Sequence, residues 1–377
     1  MNILVVCGDY FNQSNGLCLS TQRFVKELQK LGETVRVLSS DRCGKTYYSV
    51  PVMRLPIVNG IMEKQNYLFA KPVKKVVTEA LSWADVVHLS DPFPLSVKTV
   101  KLAEKMGIPM TGTFHLFPEN ITASVPVINF RIFKKAISLY FSKLVFNHCY
   151  AVRCPTEKVR DWLINHGYTS KLYVISNGIP EEYIARNYPE KNNKLFTIIS
   201  TGRYSNEKDQ RTLIEAVKRS EHSSEIRLIL AGKGPLEEKY RKLGKELPNP
   251  PVMKFYSQEE LRKAVREADL YVHAANVEVE GMGCMEAFAT GIVPVIADSE
   301  LSSTSIYALS SENRYTAGNV QELKERIDYW FENRELLPAR GEEYLELART
   351  LSLKVTAVQS LEMIKEAAKA GNKQVSR

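Results

Sequence analysis

Two acidic groups bracket a glycine-containing turn in Glu278-Val279-Glu280-Gly281-Met282-Gly283-Cys284-Met285-Glu286. Carboxylates accept hydrogen bonds from sugar hydroxyls. Glycines let an anion come close to the backbone, and a helix N-terminus offers it unpaired N–H groups and a positive dipole end. A stretch with both features suits a ligand that is part phosphate and part sugar, such as a nucleotide sugar. Acidic residues near a helix start also stabilise the dipole with no ligand present, and spacing alone leaves both readings open.

The surrounding residues say how such a turn would be held. Residues 268–273 are short, apolar and β-prone, and residues 283–290 are small and helix-forming until Gly291 stops them, so the turn joins a strand to a helix. The same alternation runs through the chain. In the first half residues 2–7, 34–38, 85–89, 110–114 and 150–153 read as buried strands with helical patterns between them; in the second half 196–201, 226–231, 253–256, 270–273 and 293–297 repeat the scheme. This order predicts an α/β fold of two Rossmann-like, doubly wound domains facing each other across a cleft. Residues 180–194 are polar with two prolines, which predicts a linker. The expected divisions are 1–180, 181–352 and a closing helical segment from 353 to 377, its helix spanning about 353–370.

A chain of 377 residues is natural for two domains, and 44% hydrophobic with 25% charged content is ordinary for a globular protein. No stretch approaches the roughly 20 apolar residues of a membrane-spanning helix, and the first residues lack the basic region of a signal peptide. The expected location is therefore cytoplasmic. Six scattered cysteines with no Cys-x-x-Cys pair read as small buried thiols rather than disulfides or metal ligands.

Taken together, five motifs in order identify the chain as similar to the GT-B glycosyltransferases of retaining family 4. Glu278 and Glu286 match the family's E-x7-E signature, followed by Ala287-Phe288-Ala289-Thr290-Gly291-Ile292-Val293-Pro294-Val295 where the family reads EAMA-x-G-x-PV. Thr201-Gly202-Arg203-Tyr204-Ser205-Asn206-Glu207-Lys208 resembles its G-R-x-x-x-x-K. Val174-Ile175-Ser176-Asn177-Gly178-Ile179, Leu230-Ala231-Gly232-Lys233-Gly234-Pro235 and Thr113-Phe114-His115 are three further echoes.

The resemblance implies a role for each position. Arg203 and Lys208 would hold the donor diphosphate and stabilise the charge that grows on it as the glycosidic bond breaks. Glu286 would bind the ribose, Glu278 would face the transferred sugar, and Gly281 and Met282 would present backbone N–H groups. Glu280 departs from the family and adds a third carboxylate, leaving open which of Glu278 and Glu280 meets the sugar. In the loop after the first strand the family places a glycine pair by the diphosphate; here only Gly16, after Asn15, is carried over. His115, just past a strand end, resembles the family's active-site histidine, and Asp91 in Ser90-Asp91-Pro92 is a weaker strand-end candidate for acceptor contact. Transfer with retention needs no enzymic nucleophile, the departing phosphate oxygen taking the acceptor proton. No Asp-x-Asp motif is present, so no metal and no cofactor beyond the nucleotide-sugar substrate is expected.

Charge bears on the acceptor. Residues 1–180 carry 22 Lys/Arg against 12 Asp/Glu, or +10, and the remainder 29 against 31, or −2. Within the basic half, residues 130–144 have helical periodicity with Arg131, Lys135, Ser138 and Ser142 on one side and Phe130, Phe133, Ile137, Tyr140, Phe141 and Leu144 on the other. Such a helix fits an anionic membrane or packs its apolar face on a sheet; Lys71-Pro72-Val73-Lys74-Lys75 adds a second basic segment. No nucleic-acid-binding motif is found. Glu-x-Glu-Gly followed by Asp298-Ser299-Glu300-Leu301-Ser302-Ser303-Thr304 resembles the subgroup that glucosylates diacylglycerol. The expectation is a metal-independent hexosyltransferase, UDP-glucose as donor, peripheral on the inner membrane face, with diacylglycerol or a glycolipid as acceptor. The alternatives are a saccharide or small-molecule acceptor, or an inactive partner subunit of the same fold.

Overall fold

The computed structural model describes residues 1–13, 15–40, 48–53, 67–122, 131–189, 191 and 193–375, with side chains to 371. Two compact units emerge: Met1–Gly178 with Leu353–Arg377, and Ile179–Ser352.

The first unit is built on a seven-stranded sheet of β1 (Asn2–Val6), β2 (Thr34–Ser40), β3 (Tyr48–Val50), β4 (Val86–Leu89), β5 (Met110–Thr113), β6 (Ala151–Cys154) and β7 (Lys171–Val174), in the order β3-β2-β1-β4-β5-β6-β7. Every pairing is parallel. Its central strands are near-continuous apolar runs because helices cover both faces; Ile3, Val5, Phe24, Leu28, Val37 and Ile364 are in its core. The closing helix Leu353–Val375 belongs to this unit, placing Leu361, Met363 and Ile364 in the core. Glu366 on it receives Tyr150 Oη at 2.8 Å, Lys171 Nζ at 2.7 Å and Tyr173 Oη.

The second unit carries a six-stranded sheet of β8 (Phe196–Thr201), β9 (Ile226–Ala231), β10 (Val252–Lys254), β11 (Leu270–His273), β12 (Val293–Asp298) and β13 (Arg314–Thr316), ordered β10-β9-β8-β11-β12-β13 and parallel throughout. Ile198, Leu228, Val272, Val295 and Trp330 fill its core. Both units are thus Rossmann-like, with the strand order reversing beside the first strand of each sheet.

Three readings of the sequence change. The segment predicted as a linker lies along the second unit: Tyr183 is in its core, Ala185 N–H donates to the Ala289 carbonyl at 2.8 Å and Tyr188 N–H to Glu342 at 2.7 Å. Its aromatic and aliphatic side chains outweigh its prolines; Glu190 and Asn192 lie outside the described residues. The basic helix, Arg131–Leu144, turns Ser138, Phe141 and Ser142 inward, so the serines placed with its basic side are buried. Its exposed side mixes Ile132 (74% exposed), Phe133 (44%) and Leu139 (45%) with Arg131, Lys135 and Lys143. Phe141 anchors the inward side between the two serines, edge-on to Phe93 with centroids 6.4 Å apart; Phe130 lies outside the described residues. Asp91 is fully buried and accepts from Gly8 N–H (2.6 Å), Tyr67 Oη (3.0 Å), Phe93 N–H (3.0 Å) and Ser96 Oγ (3.3 Å). Burial raises its pKa, against those four donors. It fastens the loops at the strand ends together and does not reach out to a substrate. Cys7, Cys18, Cys149, Cys154 and Cys284 are buried free thiols; Cys43 lies outside the described residues.

Candidate active site

At the carboxyl ends of β8 and β11 the second unit brings the two predicted motifs together. After β8 the chain turns through Gly202 to Asp209 into the helix Gln210–Arg219. Arg203 is held there by Glu207 (2.9 Å), whose Oε1 also takes Ser205 Oγ at 2.7 Å. Gln210 Nε2 donates to the Arg203 carbonyl at 3.0 Å. Asp209 has φ 43°, the only non-glycine in the left-handed region among the described residues, a conformation Asp tolerates better than most. Its carboxylate takes Thr212 Oγ1 at 2.6 Å. This turn delivers Lys208 to the second motif.

The carboxylate turn follows β11. Asn276 N–H donates to the Glu207 carbonyl at 2.8 Å, stitching the two turns, and Lys208 Nζ meets Glu278 Oε2 at 2.5 Å. Both ends of this pair are mostly shielded, with side chains 23% and 17% exposed. Burial raises the Glu278 pKa, but the Lys208 charge, His273 and the Lys208 hydrogen bond outweigh it and leave it below the usual range. The backbone of Glu278 is fixed by the segment after β12: its N–H donates to Leu301 O (2.9 Å), and its carbonyl accepts from Ser303 N–H (3.0 Å). Residues 298–304, singled out in the sequence, thus brace the turn.

Glu280 points elsewhere. It is 2% exposed and accepts from Tyr307 Oη at 2.9 Å, so of the two carboxylates left open by the sequence, Glu278 is the one set beside Lys208. Gly281 then adopts φ 82°, and a Cβ there would come within 2.4 Å of Thr304 Oγ1; only glycine fits. The helix Met282–Phe288 starts one residue earlier than expected; Cys284 N–H already reaches the Gly281 carbonyl at 2.8 Å, and by helix geometry the N–H groups of Met282 and Gly283 lack intrahelical partners. Glu286 sits on it, half-buried.

Arg203, Lys208, Glu278, Gly281, Met282 and Glu286 therefore share one unit; Gly16 and His115 belong to the other. Gly16 opens the helix Gly16–Lys30, capped by Asn15 Oδ1 accepting from Leu17 N–H (3.0 Å) and Cys18 N–H (3.4 Å). A Cβ on Gly16 would meet nothing within 4 Å among the described residues, so the backbone there is open to approach; Ser14 of this loop lies outside them. His115 follows β5 and is half-buried. Burial, then Arg153 and His88, push its pKa down to about 3, which keeps the ring neutral. Among the described residues no group of three His, Cys, Asp or Glu is placed to hold a metal.

Sequence reasoning passed over His273, Asp209 and Tyr307. His273 ends β11 as His115 stands just past β5, so the strand-end argument applied to one would have found the other. Tyr307 and the strain at Asp209 carry no local signal.

Comparison with known proteins agrees with this fold. The family descriptions "Glycosyltransferase Family 4" and "Glycosyl transferases group 1" match residues 14–183 and 183–344. Alpha-monoglucosyldiacylglycerol synthase of Streptococcus pneumoniae is 24% identical over 315 residues, 79% of this chain and 71% of that protein. Anabaena HepE, solved with UDP and glucose, superposes with a TM-score of 0.72 over 96% of this chain and 98% of its own at 16% identity, which speaks for the fold. The catalytic domain of cholesterol-alpha-glucosyltransferase from Helicobacter pylori is 42% identical over 41% of this chain and 98% of that one, and its TM-score of 0.40 adds nothing to the fold argument. With the two descriptions spanning residues 14–344, two parallel Rossmann-like sheets and both signature motifs in place, the chain belongs to the GT-B glycosyltransferases of family 4 and transfers a sugar from a nucleotide sugar.

Proposed function

We propose that this enzyme moves a hexose, glucose, from a UDP-sugar to the hydroxyl of a membrane lipid such as diacylglycerol or a glycolipid, with retention of configuration and without a metal ion. The observation that carries the lipid reading is the outward face of the helix Arg131–Leu144, where Ile132, Phe133 and Leu139 stand exposed among Arg131, Lys135 and Lys143. An apolar face rimmed by cations fits an anionic bilayer: each cation contributes about 1 kcal/mol near the surface, and the side chains add burial in the acyl boundary. In this reading the contact is peripheral, on the inner leaflet; among the described residues no helix is long and apolar enough to cross a membrane. The synthase from Streptococcus pneumoniae, named for a glucosyldiacylglycerol product, supports the same acceptor class.

In this reading Arg203 and Lys208 hold the diphosphate and stabilise the charge left on it, the role of a preorganised cation pair. Glu278 accepts hydrogen bonds from sugar hydroxyls, Glu286 binds the ribose, and the N–H groups of Gly281 and Met282 face the sugar and phosphates. Gly16 lets the other unit's backbone approach the diphosphate. His115, neutral through burial and Arg153, donates or accepts a hydrogen bond at the reacting sugar and is too weak a base to take the acceptor proton. That proton passes to the departing phosphate oxygen.

The test is a panel of UDP- and GDP-sugars with EDTA present, with and without anionic vesicles containing diacylglycerol, a glycosylated diacylglycerol or a sterol, following nucleotide release. Release from one UDP-hexose, stimulated by one lipid and indifferent to EDTA, supports the reading. Release that ignores lipid moves the acceptor to saccharides; abolition by EDTA removes the metal-free mechanism. Failure to bind any nucleotide would favour an inactive partner subunit.

A further inference from the structure

One buried group at the site has no assigned role. His273 ends β11, is 4% exposed, and its Nε2 has no hydrogen-bond partner among the described residues. Buried polar atoms are paired in the great majority of cases, and an orphan calls for an explanation. The ring lies nearly parallel to that of Tyr271, with centroids 6.3 Å apart at 20°. Tyr271 Oη in turn bonds Thr201 Oγ1 at 2.8 Å, at the end of β8. The charged groups that act on the ring are Glu278 and Lys208, and burial lowers its pKa to about 4. Tyr271, on the same strand face, senses both Glu278 and Glu286. His273 therefore lies on the face of β11 that borders the donor carboxylates, as a neutral ring able to donate one hydrogen bond.

We propose that His273 is a positioning residue for the donor sugar: its Nε2–H takes hold of the Glu278 carboxylate when the incoming diphosphate draws Lys208 away. The inference rests on the reading of Glu278 as the sugar-facing group. Lys208 cannot give its full charge to a diphosphate while it is committed to Glu278 at 2.5 Å. Once it turns and the sugar shuts out water, the shielded carboxylate needs a replacement donor to stay ionised and oriented; with UDP alone, water reaches it through the vacant sugar position. A neutral imidazole supplies the hydrogen bond without a second cation that would compete with Lys208 for the phosphates.

The experiment measures affinity for UDP and for UDP-glucose in the full chain, with the rate of donor hydrolysis. His273→Phe keeps the ring's bulk and removes the donor. The expected result is UDP affinity within about twofold of the parent, with UDP-glucose binding or turnover down about tenfold to a hundredfold, the range for a hydrogen bond to a charged group. His273→Gln, whose amide reaches the Nε2 position, restores most of the loss; His273→Asn, whose amide reaches only Nδ1, does not. A variant that loses UDP and UDP-glucose in proportion, that loses neither, or that Gln fails to restore overturns the proposal. Glu278→Gln separates the layers: if it abolishes the advantage of UDP-glucose and His273→Phe does not, only the role of His273 falls; if it changes nothing, the assignment of Glu278 falls with it.

Discussion

Replacing Lys208 by Ala removes one end of a shielded ion pair, and the consequence is a reversal in how stability depends on pH. In the parent, Glu278 titrates below its unfolded value because Lys208 and His273 overcome the burial that raises it. A carboxylate depressed in this way contributes stability above its unfolded pKa, and loses it as pH falls through the folded pKa. Without Lys208 burial is opposed only by His273, a weaker influence than the two that Lys208 supplied together, so the folded pKa rises above the unfolded one. The same carboxylate then costs stability at neutral pH and costs less as it protonates. Breaking a fully buried pair costs about 3–5 kcal/mol. With the partners 23% and 17% exposed, solvent screening reduces this to about 2 kcal/mol. At roughly 2–4 °C per kcal/mol for a unit of this size, the second unit should melt about 4–8 °C lower at pH 7.5. Calorimetry of the full chain between pH 4.5 and 8 should show the gap between parent and Lys208→Ala closing toward acid. A gap that is constant across this range, or under about 1 °C at pH 7.5, would refute the assigned electrostatics.

Glu280→Ala removes the acceptor that Tyr307 Oη meets at 2.9 Å; it should cost about 1–3 kcal/mol in denaturant unfolding while leaving the preference for UDP-glucose over UDP intact, unlike Glu278→Gln. Ile132→Glu with Phe133→Glu should weaken partition onto anionic vesicles by about 30-fold, equivalent to about 1 kcal/mol for each partly buried side chain, with hydrolysis of soluble donor unchanged; equal sedimentation with vesicles would count against the helix. Because His115 titrates at about 3, it stays neutral above that value, and the rate profile between pH 5.5 and 8 should show no limb that His115→Asn removes.

Much of the fold was legible because central parallel strands are apolar on both faces. β8, β9 and β11 fall where the pattern put them, and β1, β2, β4, β5, β6, β10 and β12 within two residues at either end. The missing strands, Tyr48–Val50, Lys171–Val174 and Arg314–Thr316, are edge strands of three or four residues, too short and too half-exposed to impose a period. At the site, spacing marked Arg203, Lys208, Glu278 and Glu286, but it could not decide between Glu278 and Glu280. The structure sets Glu278 beside Lys208 and pairs Glu280 with Tyr307, a residue distant in sequence. The helix Arg131–Leu144 shows the limit of periodicity: its pattern gives two faces, and which one turns inward depends on the neighbouring elements it meets.

The central claim is that sugar passes to a membrane lipid. Its most direct test is the product formed from UDP-glucose on anionic vesicles containing diacylglycerol, separated by chromatography and with its anomeric configuration read by NMR. An α-linked glucolipid, lost in Glu286→Ala and reduced in step with vesicle binding in the Ile132→Glu, Phe133→Glu variant, is the predicted result. UDP release with no lipid product, or transfer to a soluble saccharide at a rate vesicles do not alter, would contradict it.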